Sequence, residues 1–245
     1  MEPEQKTAVV TGASSGIGAA TARALAADGW HVIAAARRYE RVAALAEEIG
    51  GQACRLDVTD DASVMGLARC VAEHGGCDLL VNNAGGARGL DPVIEADIEQ
   101  WRWMYEVNVL GTLRVSNALH EALAASPRGG LVVNIGSVAG LNPYPGGAGY
   151  NAAKFGLRAL TRVQRIEEAS ATPEGLRVTQ IDPGRVHTEE FSLNRFDGDA
   201  ARAAAVYEGV LSLSAQDIAE AVRWVASLPA HVNVDHLHLM PKDQA

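Results

Sequence analysis

A doubly wound α/β fold, a single domain with a mostly parallel seven-stranded sheet and helices on both faces, is predicted by three features of this 245-residue sequence. Short β-branched apolar runs alternate with longer helical patterns, and such alternation builds βαβ units around a parallel sheet. A glycine cluster, "TGASSGIG", stands where the first apolar run gives way to the first helical pattern. The composition, 48% hydrophobic and 21% charged, permits a sizeable core in a chain of one-domain length.

The strands are expected at 7–11, 31–36, 52–58, 78–83, 130–136, 177–182 and 232–240. The first of these, "TAVVT", is short and apolar, like a buried strand. Gly12, Gly16 and Gly18 follow it, and the alanine-rich "AATARALAAD" then favours helix. Glycines at a strand-to-helix turn allow a tight bend and close approach of a ligand to the backbone. The helix start offers free N–H groups to a phosphate, and Ser14 and Ser15 add hydroxyls. The spacing G-x-x-x-G-x-G differs from the usual G-x-G-x-x-G fingerprint, and a turn without a ligand is the alternative.

The second strand, "HVIAAA", ends in Ala36, Arg37 and Arg38. Dinucleotide folds that bind the adenosine ribose through a carboxylate place it near this position. Two guanidiniums here favour the 2′-phosphate of NADP(H) instead, unless they are solvated charges at a strand end. Asp57 closes the third strand in "RLDV", with Val58 beside it. It can receive an adenine amino group, or it can be a turn or cap residue. The fourth strand runs into "VNNAGG", where Asn83, Ala84 and Gly85 lie at the same sheet edge.

A long helical segment spans 97–125, with Trp101 and Trp103 read as core or interface aromatics. Asn108 within it can hold a water, can interrupt the helix locally, or is an ordinary polar helix residue. Ser137 ends the fifth strand, "LVVNIG", at the carboxyl edge where ligands of parallel sheets sit. Tyr150 and Lys154, in "YNAAK", are four apart and share one helix face. A cation ~4 Å from the phenol, at an effective dielectric near 20, stabilises phenolate by ~4 kcal/mol. That suits a general acid/base. The stretch 188–213 has no clear strand–helix assignment and is read as a substrate loop, with Glu189 and Glu190 as solvated charges. His231, His236 and His238 cluster near the end without a complete ligand set, so no metal site is assigned.

The formal net charge is −9 and the pI about 5.2, which argues against a general nucleic-acid or membrane-surface binder. The opening "MEPEQKTAVV" shows no signal-peptide pattern, and no apolar run is long enough for a membrane span. Three cysteines, Cys54, Cys70 and Cys77, form no CxxC and suit free thiols in a reducing cytoplasm.

Together, "TGASSGIG", "LDV", "NNAG", "NVLG", "GS" followed by "YNAAK", and "DPGRVHT" resemble the short-chain dehydrogenase/reductase family, over essentially the whole chain. The resemblance implies a Rossmann-type domain and a catalytic tetrad of Asn108, Ser137, Tyr150 and Lys154. It implies NADP(H) contacts at Gly12, Ser14, Ser15, Ile17, Asp57, Val58, Asn83 and the loop of Pro183, Gly184, Val186 and Thr188. It also implies a homotetramer or dimer. "NRFDGD" and "LPAHVNVDHLHLMP" resemble the branch of NADP-dependent 3-hydroxy acid (serine, allo-threonine) dehydrogenases. A carboxylate substrate needs a paired cation, for which Arg185, directly after the Pro–Gly turn, is the first candidate. Ser137 and Tyr150 complete the expected substrate contacts, and Arg88 and Arg195 are further candidates. The alternatives are a ketone or aldehyde reductase for uncharged substrates and a non-catalytic dinucleotide sensor.

Overall fold

In a computed structural model that describes residues 5–171 and 175–244, the seven expected strands form one sheet, all parallel, in the order β3-β2-β1-β4-β5-β6-β9. They are β1 (Thr7–Thr11), β2 (His31–Ala36), β3 (Gln52–Arg55), β4 (Leu79–Asn82), β5 (Leu131–Ile135), β6 (Arg177–Pro183) and β9 (His236–Leu239). The start of the signal-peptide reading, residues 1–4, lies outside the described residues, as does the last residue of the predicted domain. Strand order reverses direction between β1 and β4, and a crevice opens there at the carboxyl edge.

The helices are α1 (Gly16–Ala27), α2 (Tyr39–Ile49), α3 (Asp61–Glu73), α4 (Ile98–Tyr105), α5 (Gly111–Ala124), α6 (Ala148–Ala171), α7 (Phe191–Arg195), α8 (Ala200–Ala205) and α9 (Ala215–Ser227). Because a parallel sheet is covered on both faces, its central strands β1, β2, β4 and β5 are mostly apolar and buried along their length. One face packs Leu25 of α1, Val42 and Leu45 of α2, and Ile218, Val222 and Val225 of α9 against Val10, Val32 and Val133. The other packs Val64, Leu67 and Val71 of α3 and Val115, Leu119 and Leu123 of α5 against Val9, Ile33, Leu80 and Val132. Helix starts are capped by local polar residues: Asp60 for α3, Asp97 for α4, and a reciprocal Ser214–Asp217 box for α9.

Three expectations change in detail. The third strand ends at Arg55, not 58. The Asp57 carboxylate accepts from Thr59 N and Oγ1 at 3.0 and 2.7 Å, which turns the chain out of the ladder. The last strand begins only at His236. The 188–213 stretch holds α7 and α8, and its ends form a small parallel ribbon of β7 (Val186–His187) and β8 (Leu213–Ser214). The three cysteines are free thiols, with Cys54 and Cys77 buried. Among the described residues no helix is long and apolar enough to cross a membrane.

Candidate active site

The glycine turn shows why alanine would not serve there. Gly12 and Gly16 have φ of 67° and 53°, the left-handed region that side chains avoid. A Cβ on Gly12 would meet Ala84 Cα at 2.9 Å, and one on Gly18 would meet Gly12 O at 2.5 Å. The turn thus lets β1, α1 and the Asn83–Ala84 segment approach backbone to backbone. Asn83 fastens it, donating from Nδ2 to Thr11 O at 2.9 Å and from its own N to Thr11 Oγ1 at 3.0 Å. Ser15 at the start of α1 makes no side-chain cap, so the first N–H groups of the helix face the crevice without a side-chain partner. A pyrophosphate fits this cradle. Across it stands Thr188, whose Cγ2 lies 3.3 Å from where a Gly16 Cβ would be. The Pro183–Thr188 loop therefore closes over the turn.

Two cavities meet on this crevice. The first, about 410 Å³, is lined by Ser14, Arg37, Arg38, Asp57, Val58 and Arg88. The second, about 360 Å³, is lined by Ile17, Ser137, Tyr150, Lys154, Arg185 and Arg195, with Gly184, Val186 and Thr188 on its rim. Gly12, Ser15, Ala84 and Gly85 border both, so they are two halves of one cleft.

In the first half, Arg38 donates to Ser14 Oγ at 2.7 Å and Ser15 Oγ at 2.9 Å. Glu190 does not behave as a solvated loop charge. Its carboxylate pairs with Arg38 at 2.7 Å and Arg41 at 2.5 Å, and the Arg38 hydrogen bond holds its pKa down at about 2. Nothing local in the sequence signals this, because the partners are about 150 positions away and the course of the 188–213 loop decides it. Glu189, by contrast, is exposed.

In the second half, burial dominates the chemistry. Tyr150 and Lys154 are 8% and 6% exposed. Burial raises the Tyr150 pKa, with Tyr144 adding to it, while a hydrogen bond with Ser137 and the charge of Arg195 pull it down. Burial also lowers Lys154 to about 8, opposed by the Asp182 carboxylate. Lys154 is not among the groups that lower the Tyr150 pKa. The ammonium lies 5.7 Å from the ring centroid and donates to Ile135 O at 3.0 Å. Desolvation outweighs it, so a phenolate here needs further positive charge.

Asn108 sits in a π-helical turn, Glu106–Leu110, between α4 and α5, which is the local interruption anticipated. Its amide donates to Met104 O at 2.7 Å and Gly86 O at 2.8 Å and accepts from Gly86 N at 3.3 Å. The side chain braces the Gly85–Gly86 loop. Ser137 starts a 3₁₀ turn after β5, and its hydroxyl accepts from Ala139 N at 3.1 Å. Trp101 and Trp103 pack against the buried cluster of Met104, Val109 and Tyr150, as expected of core aromatics.

Asp182 was not singled out by sequence reasoning. It is fully buried and accepts from Ser137 N at 2.9 Å and Gln180 Nε2 at 2.8 Å, and His236 Nε2 lies 2.6 Å from its other oxygen. The carboxylate fixes the strand end that carries Ser137. Its place directly before the Pro–Gly turn was the available signal. His236 is thereby a structural partner, and among the described residues no cluster could hold a metal.

Comparison with known proteins decides the family. A model described as short chain dehydrogenase matches residues 6–195. The chain belongs to the short-chain dehydrogenase family. It is an oxidoreductase with the Rossmann-like fold of that family. It is 54% identical over 241 residues to an uncharacterised oxidoreductase of Mycobacterium tuberculosis, covering 98% of this chain and 93% of that one. It is 40% identical over 240 residues to the NADP-dependent 3-hydroxy acid dehydrogenase of Salmonella typhi, covering 97% and 95%. It is also 40% identical over 242 residues to the serine 3-dehydrogenase of Agrobacterium fabrum, covering 98% and 95%. Among solved structures, the closed form of serine dehydrogenase complexed with NADP+ superimposes with a TM-score of 0.92 at 38% identity, covering 98% and 96% of the two chains.

Proposed function

We propose that this short-chain dehydrogenase oxidises a small 3-hydroxy acid with NADP+, or reduces the corresponding 3-oxo acid with NADPH. The observation that carries the reading is the single cleft that joins a backbone phosphate cradle to the buried Ser137–Tyr150–Lys154 cluster. The relatives named as NADP-dependent 3-hydroxy acid and serine 3-dehydrogenases support it. Bound there, NADP(H) would supply the hydride acceptor or donor.

The chain's residues do the rest. Tyr150 takes the substrate hydroxyl proton in oxidation and returns it in reduction. Ser137 donates to the substrate oxygen and, with the buried Asp182 behind it, holds that oxygen near the phenol. Lys154 keeps a positive charge beside the site and holds the nicotinamide ribose. Asn108 keeps the Gly85–Gly86 loop in place and anchors a water between Lys154 and solvent. Gly12, Ser14, Ser15, Gly16, Ile17 and Gly18 receive the pyrophosphate side, and Asp57, Val58, Asn83, Ala84 and Gly85 flank the adenosine and ribose groups. Pro183, Gly184, Val186 and Thr188 cover the nicotinamide. The chain acts as one domain, with residues 188–213 as its substrate loop.

Arg37 and Arg38 would receive the 2′-phosphate, with Glu190 yielding Arg38 to it. NADPH is therefore expected to bind at least tenfold tighter than NADH, about 1.4 kcal/mol. Replacing Arg37 and Arg38 together with Ala should weaken NADPH far more than NADH in titration calorimetry. Equal affinities in the unmodified protein contradict this assignment.

Exposed apolar side chains of α4 and α6, Tyr105 at 46%, Phe155 at 42%, Val163 at 52% and Ile166 at 58%, support self-association as a homotetramer or dimer. Light scattering at micromolar concentration is expected to report a tetramer or dimer, and a monomer alone rejects this. The free thiols suit the cytoplasm.

A further inference from the structure

Besides Arg37 and Arg38, three arginines border the cleft, and they differ in what their guanidiniums already do. Arg88 stacks 4.4 Å over the Trp103 ring, faces Asp197, and lines the half of the cleft that holds Arg37 and Arg38. Arg185 lines the Tyr150 half, but its Nη1 donates to Leu211 O at 3.0 Å and its backbone N to Gln244. Its side chain thus ties the β7 loop to the segment before β8.

Arg195, the last residue of α7, is held differently. Its Nε donates to Gly89 O at 2.9 Å and its Nη1 to the Tyr144 hydroxyl at 3.0 Å, while the Tyr144 ring lies 5.5 Å beneath the guanidinium. Its Nη2 is buried and has no hydrogen-bond partner. Among the described residues no carboxylate pairs with it. A guanidinium has five N–H donors. Two are used in fixing its direction, so the end formed by Nη1 and Nη2 keeps three free. A buried donor without a partner is costly, and a ligand that satisfies it recovers that cost. The charge acts on the reacting centre, since Arg195 is among the groups that pull the Tyr150 pKa down. Tyr144, Tyr150, Ser137 and Arg195 line the same half of the cleft.

We propose that Arg195, and not Arg185, is the residue that grips the substrate carboxylate. The Nη1–Nη2 end matches the two oxygens of a carboxylate in a bidentate pair. Tyr144 is its positioning residue: its hydroxyl and ring fix the plane of the guanidinium, which lines the Tyr150 half of the cleft. The proposal rests on the 3-hydroxy acid reading given above and names the side chain that would enforce it.

The test compares 3-hydroxybutyrate with its methyl ester, which keeps the reacting carbinol and loses the charge. For Arg195→Met, kcat/KM on the acid is expected to fall at least 100-fold and that on the ester to change less than threefold. Binding is read separately by calorimetry of 3-hydroxybutyrate on the enzyme–NADPH complex, where no reaction follows, and its affinity should fall in parallel. NADPH affinity of the variant, measured alone, confirms an intact fold. Arg195→Lys should lose part of the acid preference, and Arg185→Leu should keep it. Equal losses on acid and ester, or an unchanged acid preference in Arg195→Met, overturn the anchor while leaving the substrate reading. An unmodified enzyme that takes the ester and ignores the acid overturns the substrate reading and the anchor with it.

Discussion

Tyr150→Phe is expected to lower kcat by roughly 10³-fold, near the middle of the range for removal of a general acid/base. That corresponds to about 4 kcal/mol of lost transition-state stabilisation. Only the hydroxyl is removed, and the ring keeps its edge contact with Phe191 at 5.8 Å, so NADPH affinity should stay within a few-fold. The pH profile carries the same claim. Burial keeps the phenol protonated above its ordinary range, so oxidation by the unmodified enzyme should rise with pH through neutral and alkaline values. Reduction, which needs the protonated phenol, should not gain from raised pH. Steady-state kinetics in both directions read this, and a Phe variant within a few-fold of the unmodified rate removes Tyr150 from the chemistry.

Lys154→Met should likewise abolish most turnover, yet it should not destabilise the fold. The lysine is buried, and its pKa falls from 10.5 to about 8. Its charged form is therefore disfavoured in the folded protein relative to the unfolded chain. Between pH 8 and 10.5 the unfolded chain binds the proton and the folded one releases it, so stability rises with pH across that window. Below the folded value the cost of holding the charge is fully present. Methionine of similar length removes that cost and forfeits the hydrogen bond to Ile135 O, terms of comparable size. The variant should show a Tm no lower than that of the unmodified protein near neutral pH, and no rise in stability across the alkaline window. A large Tm drop with turnover retained makes Lys154 structural. A lysine kept at such a cost marks a site where function outweighs stability.

The reach of sequence reasoning follows the range of the interactions involved. The β1–α1 turn was readable because Gly12, Gly16 and Gly18 answer a local steric demand. Strand–helix alternation likewise located every strand of the sheet, since burial on both faces leaves an apolar run. Where elements ended was harder. Asp57 turns the chain through its own side chain and Thr59, which cuts the third strand short, and Asn108 sits in a π turn that periodicity only hinted at. Long-range polar pairings were not readable at all. Glu190 meets Arg38 and Arg41, and Asp182 meets His236, only because loops and strand ends converge at one sheet edge. The Tyr150–Lys154 pair shows a further gap. Spacing placed both on one helix face, but the dominant effect on each is desolvation, which depends on everything packed around them.

The most direct test of the account follows the hydride itself. The unmodified enzyme is incubated with NADP+ and 3-hydroxybutyrate carrying deuterium at C3, and the reduced cofactor is analysed by mass spectrometry and NMR. The account predicts NADPH with one deuterium at nicotinamide C4, formed with a primary isotope effect and lost in Tyr150→Phe. Reduced cofactor without deuterium, or none formed from this or other 3-hydroxy acids, contradicts it.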